Sequence, residues 1–286
     1  MIFNGSGLKN ALIRKLFALY RPLNILYSLL IMKYLLLPLR ILFTVYAFFF
    51  FITAMLLLFP AVVIVSFFGK IRGGNLIYKL CQLWADCMFV LWGINHKNYY
   101  EAPHDRSRQY VFIFNHVSYM DIPVIMKTIR GQHFRILAKS EMAKVPVFGF
   151  IYKNAVVMVD RSSAEKRAKS VQRLKSVIRK DISVVIAPEG TFNATHQPLK
   201  DFFDGAFKIA IETQTAIKPI LFLDTYDRFN PDNIFSLTPG RSRSVYLEEV
   251  PVNGLTGKDV KDLKEKVYKL MEQKLIAYKA SWISNS

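Results

Sequence analysis

From Ile41 to Phe68 no residue carries a charge, and only Thr44, Thr53, Pro60 and Ser66 interrupt the apolar side chains. The run exceeds the ~20 residues that a helix needs to cross a hydrocarbon core. A helix apolar all round must be buried in protein or lie in lipid, so the run predicts a membrane helix near the N-terminus. It is too long and too far from Met1 for a secretory signal, and no small-residue cleavage site stands out. Lys9, Arg14, Lys15, Arg21, Lys33 and Arg40 precede it without one acidic residue, and Lys70, Arg72 and Lys79 follow it. Positive flanks favour the cytoplasmic side. A single span cannot place both there, whereas a re-entrant or interfacial helical hairpin bent near Pro60 can. The hairpin is the favoured expectation and a single span the alternative.

A formal charge of +18 asks for an anionic partner. The chain has no zinc-finger spacing, no RNP-type motif and no basic region with heptads, which argues against nucleic acid. An anionic bilayer surface attracts basic segments at about 1 kcal/mol per Lys or Arg, and a chain that is 52% hydrophobic suits it. Cys81 and Cys87 make neither a disulfide framework nor a metal cluster and read as apolar fillers.

Three parts are expected. Residues 1–72 form the basic segment and membrane helix or hairpin. Residues 73–109 hold an amphipathic helix over Leu76 to Ile94, with Trp84, Phe89 and Trp92, and then a polar loop; the helix either lies at headgroup level or packs on a core. Residues 110–286 form the catalytic part. There, strands are expected at 111–115, 134–138, 156–159, 183–187, 217–223 and 244–249, and helices at 122–130, 163–180, 204–214 and 258–280. Ser162-x-x-Glu165 and Thr256-x-x-Asp259 resemble capping boxes. Alternation of this kind predicts an α/β fold with a mostly parallel sheet flanked by helices.

The chemistry begins at Asn115-His116-Val117-Ser118-Tyr119-Met120-Asp121, behind the apolar run Val111-Phe112-Ile113-Phe114. On one helix His116 and Asp121 would point roughly 140° apart at 3.6 residues per turn. Across a strand-to-helix turn they can hydrogen-bond, which orients the imidazole as a proton acceptor. The alternative is a structural histidine beside a helix-capping aspartate. Ala187-Pro188-Glu189-Gly190-Thr191 follows the buried run Ile182 to Ile186, at the strand ends where open α/β sheets bind ligands. Lys139 and Arg161 each follow a strand and are candidate cations for a phosphate. The basic run Lys166, Arg167, Lys169, Arg173, Lys175, Arg179 and Lys180 reads as a solvated or membrane-facing helix face. No Gly-x-Ser-x-Gly elbow supports a covalent serine route.

Taken in order, these blocks resemble the lysophosphatidic acid acyltransferase family. Asn115-His116-x4-Asp121 is similar to its first motif, Val156 to Arg161 to its second, Pro188-Glu189-Gly190-Thr191 to its third and Ile217-Lys218-Pro219-Ile220 to its fourth. The likeness covers roughly Tyr110 to Leu223. It implies a membrane-bound O-acyltransferase of phospholipid biosynthesis with its catalytic domain on the cytoplasmic face. His116 is implied as general base and Asp121 as its orienting partner, with Asn115, Lys139, Arg161, Glu189, Gly190 and Thr191 binding substrate. Backbone donors of the Asn115–Asp121 turn are the expected oxyanion stabilisers. The resemblance implies no metal and no cofactor. Acyl-CoA or acyl-acyl carrier protein serves as co-substrate, a lysophospholipid as acceptor, and a bilayer with anionic lipids as partner.

One departure matters. The family usually has arginine directly after Glu-Gly-Thr, and here that position is Phe192, while Asp204 stands before Gly205-Ala206-Phe207 where a basic residue is common. Arg161, Lys139, Arg241 or Arg243 could compensate, or the acceptor is a hydroxylated aminolipid rather than a phosphate monoester. A non-catalytic lipid- or acyl-carrier-binding protein is the remaining alternative.

Overall fold

The computed structural model describes residues 5–159 and 163–283, with side chains from Leu35 onward except at 164 and 166–168. The first helix, α1 (Gly5–Ser66), runs through Pro60 without turning. The expected bend near Pro60 is therefore misplaced. One missing N–H weakens a helix locally, yet the helix continues, with Phe59 edge-on to Phe150 before Pro60 and Val62 buried after it. The chain reverses at a π-helical turn, Gly69–Gly73, and returns as α2 (Gly74–Leu91). Gly73 permits the reversal, since a Cβ there would lie 2.4 Å from the Val65 carbonyl oxygen. The two helices pack antiparallel: the Trp92 indole N–H donates to the Ala47 carbonyl at 3.2 Å, and Tyr46 OH to that of Leu91 at 3.1 Å.

Over Leu35–Ser66, α1 is long and apolar enough to cross a membrane. At 1.5 Å per residue this stretch measures about 48 Å against a hydrocarbon core of about 30 Å. One stripe, including Thr44, Ala47 and Val62, is buried, while Leu35, Leu42, Phe49, Leu57 and Ile64 are exposed. Of the two readings of the next segment, α2 follows the second. Its Ile77, Tyr78, Ala85, Met88 and Phe89 are buried in one core cluster with sheet residues. Arg135 clamps the turn to the domain: buried at the end of the hairpin, its guanidinium donates to the carbonyls of Lys70 at 3.3 Å and Ile71 at 3.1 Å.

From Ile94 onward the chain builds a seven-stranded sheet. Its strands are β1 (Ile94–Tyr100), β2 (Val111–Phe114), β3 (Phe134–Lys139), β4 (Val157–Val159), β5 (Ser183–Ile186), β6 (Ile217–Phe222) and β7 (Gly240–Tyr246). They lie in the order β1-β7-β6-β2-β5-β3-β4, and every pairing is parallel except β6 with β7. Helices α3 (Asp121–Thr128), α4 (Phe148–Ala155), α5 (Ala164–Ile178), α6 (Gly205–Thr213), α7 (Thr225–Arg228) and α8 (Val260–Ala277) complete the fold. The alternation of side chains along β2 divides the core. Val111 and Ile113 join the cluster under α5, α6 and α8, and Phe112 and Phe114 join the one shared with α1, α2 and α3. A central strand buried on both faces reads as an unbroken apolar run, which is why Val111–Phe114 stood out.

The fold corrects the remaining expectations locally. Strand β1 (Ile94–Tyr100) takes the last residue of the expected helix and the start of the expected polar loop. The last strand starts earlier, at Gly240, and the unexpected helix α4 fills Phe148–Ala155. Thr256 and Asp259 do form a capping box. Ser162 of the other lies outside the described residues, as does Arg161.

Candidate active site

Strand β2 ends at Phe114, and the residues after it form the first wall of the site. Asn115 is fully buried and spends its amide on the neighbouring strand: Nδ2 donates to the Phe222 carbonyl at 3.0 Å and Oδ1 accepts the Phe222 N–H at 2.8 Å. It locks β2 to β6 from a fully buried position.

His116 Nδ1 lies 2.8 Å from Asp121 Oδ2. The same oxygen accepts the N–H groups of Val117 at 2.9 Å and Ser118 at 3.0 Å. Asp121 is wholly buried, and its Oδ1 has no partner among the described residues. Three donors on one oxygen suit a carboxylate, which can only accept. In a neutral imidazole the Nδ1 proton therefore points at Asp121, and Nε2 is the nitrogen that carries the lone pair. The five-residue separation does across a turn what it could not do on one helix. Ser118 secures that turn, with Oγ donating to the Phe229 carbonyl at 2.5 Å and accepting the Met120 N–H at 2.9 Å.

Most of the turn's own donors are engaged. The N–H groups of Val117 and Ser118 go to Asp121, that of Met120 to Ser118 and that of Asp121 to the Ser118 carbonyl. His116 N–H donates to Glu189 Oε1 at 2.8 Å. Of the N–H groups from His116 to Asp121, that of Tyr119 alone has no acceptor among the described residues.

The facing wall is the loop after β5. Gly190 adopts φ +72°, a conformation glycine takes without strain, and its N–H closes a turn onto the Ala187 carbonyl. Glu189 is 1% exposed, with Oε2 accepting the Lys200 N–H at 2.9 Å. Both oxygens thus bind backbone, so Glu189 holds the two walls together rather than reaching outward. Asn193 N–H adds a second tie, to the His116 carbonyl at 2.7 Å. Burial pushes the Glu189 carboxyl up to about 7 despite those N–H bonds. Its folded value exceeds its unfolded value, so its contribution to stability is complete below pH 4.5 and lost as pH rises through 7. One pKa unit is about 1.4 kcal/mol, and the loss is on the order of 3 kcal/mol. Denaturation midpoints of the wild type should fall over this window, and Glu189→Gln should flatten that part of the slope. Equal slopes would show that Glu189 does not titrate there.

Phe192 sits on the imidazole. Its ring centroid lies 4.4 Å from that of His116, and Tyr119 stands edge-on to Phe192 at 4.9 Å. Phe229 follows at 5.2 Å from Tyr119, and Phe48 of α1 at 6.2 Å from Phe229. An aromatic path thus joins the histidine to the apolar helix.

The expected cations fall elsewhere. Lys139 ends β3, separated from β2 by β5, and its carbonyl accepts Tyr152 OH at 2.6 Å. Arg243 makes a two-point contact with Asp224, at 2.9 and 2.8 Å, and Arg241 lies 3.7 Å from the same carboxylate. Thr191 is exposed at the site and accepts a hydrogen bond from Lys200 Nζ at 2.7 Å. Lys200 had no motif to announce it; only the folding of the loop places it here.

A family model described as Acyltransferase matches residues 94–223. An uncharacterized acyltransferase of Schizosaccharomyces pombe is 30% identical over 60% of this chain and 62% of its own length. The 1-acyl-sn-glycerol-3-phosphate acyltransferase beta of Homo sapiens is 27% identical over 58% of this chain and 59% of its own. The chain therefore spans less than two thirds of the length of either relative. The 1-acyl-sn-glycerol-3-phosphate acyltransferase of Haemophilus influenzae is 25% identical, over 67% of this chain and 79% of its length. The crystal structure of the 1-acyl-sn-glycerophosphate (LPA) acyltransferase PlsC from Thermotoga maritima superposes with a TM-score of 0.67. It is 20% identical, with 86% of this chain and 98% of that one covered, and so speaks for the fold.

Proposed function

We propose, from the match of residues 94–223 to the Acyltransferase family model and the likeness to 1-acyl-sn-glycerol-3-phosphate acyltransferases, that this chain transfers a fatty acyl group to the free hydroxyl of lysophosphatidic acid, making phosphatidic acid. The observation that carries this reading is the His116–Asp121 pair, with Nδ1 held at 2.8 Å and Nε2 left to act. Nε2 takes the proton of the acceptor hydroxyl, and Asp121 stabilises the imidazolium that forms. The oxygen attacks the thioester carbonyl of acyl-CoA or acyl-acyl carrier protein. As the tetrahedral intermediate collapses, the C–O ester bond is kept, the C–S bond breaks, and the thiolate takes the proton back from His116. No net proton is taken up or released, and no further co-reactant is needed.

We also propose that the uncovered apolar face of α1 rests in a bilayer with anionic lipids, with the basic flanks and the catalytic domain on the cytoplasmic side. α1 from Thr44 to Ser66 lies along α2, which carries Asp86 paired with Lys127 and Arg130. Those charges favour an interfacial hairpin over a helix that leaves the domain behind.

Phe192 supports a second reading, in which the acceptor is a hydroxylated aminolipid and the apolar ring on His116 takes the place of a phosphate-binding cation. Purified full-length protein in mixed micelles with acyl-CoA should convert lysophosphatidic acid to phosphatidic acid. Acylation of the aminolipid with no phosphatidic acid formed would replace the first reading by the second.

A further inference from the structure

We infer that Lys200 is the specificity-determining cation that meets the phosphate of the acceptor, an inference that rests on the acceptor proposed above being a phosphate monoester. The position beside the histidine is filled by an uncharged ring, since the Phe192 ring lies tilted against that of His116 with centroids 4.4 Å apart. Arg243 is committed to Asp224 through two bonds, and Lys139 lies beyond β5. Lys200 is tied to the site through its backbone. Its N–H binds one oxygen of Glu189 while the His116 N–H binds the other, at 2.9 and 2.8 Å.

A single carboxylate thus sets the spacing between the proposed base and this lysine. The Lys200 side chain then turns toward the same loop, and Nζ donates to Thr191 Oγ1 at 2.7 Å. An ammonium has three donors, and this one has no carboxylate partner among the described residues. The N–H groups of Thr191 and Phe192 likewise have no acceptor among the described residues. A cation without an acidic partner, a hydroxyl and two N–H groups converge on one loop, the donor set that a phosphate dianion takes.

The phosphate does not react, so a contact to it is made equally in ground and transition states and affects KM rather than kcat. For Lys200→Gln with lysophosphatidic acid, KM should rise about 10- to 100-fold and kcat stay within about 3-fold, the scale of losing a charge-assisted contact. Lys200→Arg should keep KM near wild type, and Phe192→Arg placed in the Lys200→Gln background should recover at least part of the loss. An unchanged KM in Lys200→Gln, or a loss confined to kcat, overturns the assignment while leaving the acyl transfer reading in place. If the wild-type protein does not acylate lysophosphatidic acid at all, the reading of the acceptor falls and takes this inference with it.

Discussion

Replacing His116 with alanine is expected to lower the rate of acyl transfer by about 10²- to 10⁴-fold, the range a positioned general base supplies. The side chain contributes little that the fold depends on. Its one side-chain hydrogen bond is to Asp121, and the backbone N–H that ties it to Glu189 survives the substitution. Asp121 keeps the N–H groups of Val117 and Ser118, so the turn stays formed. Binding of the protein to vesicles and its thermal midpoint should therefore remain close to wild type. Initial rates with lysophosphatidic acid and acyl-CoA, measured alongside vesicle co-sedimentation, check both halves. A variant that sediments with vesicles and still transfers at the wild-type rate would remove His116 from the mechanism.

Asp121→Asn is expected to cost a comparable factor, about 10²- to 10⁴-fold in kcat, by a different route. Asparagine can place its carbonyl oxygen where Oδ2 stands and still accept the three N–H groups. The imidazolium then loses the negative charge that stabilises it, and the new NH2 occupies the buried place of Oδ1, which has no partner among the described residues. Turned the other way, the amide presents N–H groups to donors and disfavours the Nδ1–H tautomer. Either orientation leaves a buried polar group unsatisfied, with a stability cost of about 1–3 kcal/mol. This variant therefore differs from His116→Ala in losing melting temperature together with rate. A full rate with a lowered midpoint would assign Asp121 to holding the turn and nothing more.

The local signals in the chain were those carried by neighbouring residues. Val111–Phe114 was legible as a strand because both faces are buried, and His116 with Asp121 because one turn joins them. Strand β1 was not. Its Ile-Asn-His-Lys-Asn-Tyr-Tyr sequence is polar because it pairs with β7 alone at the sheet edge, with only alternate residues covered. The reversal at Gly69–Gly73 was hidden for a similar reason. Pro60 is the stronger breaker by composition, yet the turn falls where a Cβ-free residue lets two helices meet and where Arg135, far along the chain, caps the carbonyls. Asn115 and Glu189 read as ligand-facing polar residues. Their partners, Phe222 and Lys200, belong to other segments, so their commitment to backbone could be seen only in three dimensions.

The clamp made by Arg135 on the hairpin turn has a kinetic corollary. Since α1 is joined through α2 and this guanidinium to the sheet itself, the height of the imidazole above any surface on which α1 rests is a constant of the molecule. With α1 in a bilayer and a lipid as acceptor, as proposed above, the acceptor would reach the imidazole by lateral diffusion within a layer, not by collision from solution. Turnover should accordingly follow the mole fraction of acceptor in that layer, and diluting it with inert lipid should slow the reaction even when its total amount in the vessel is unchanged.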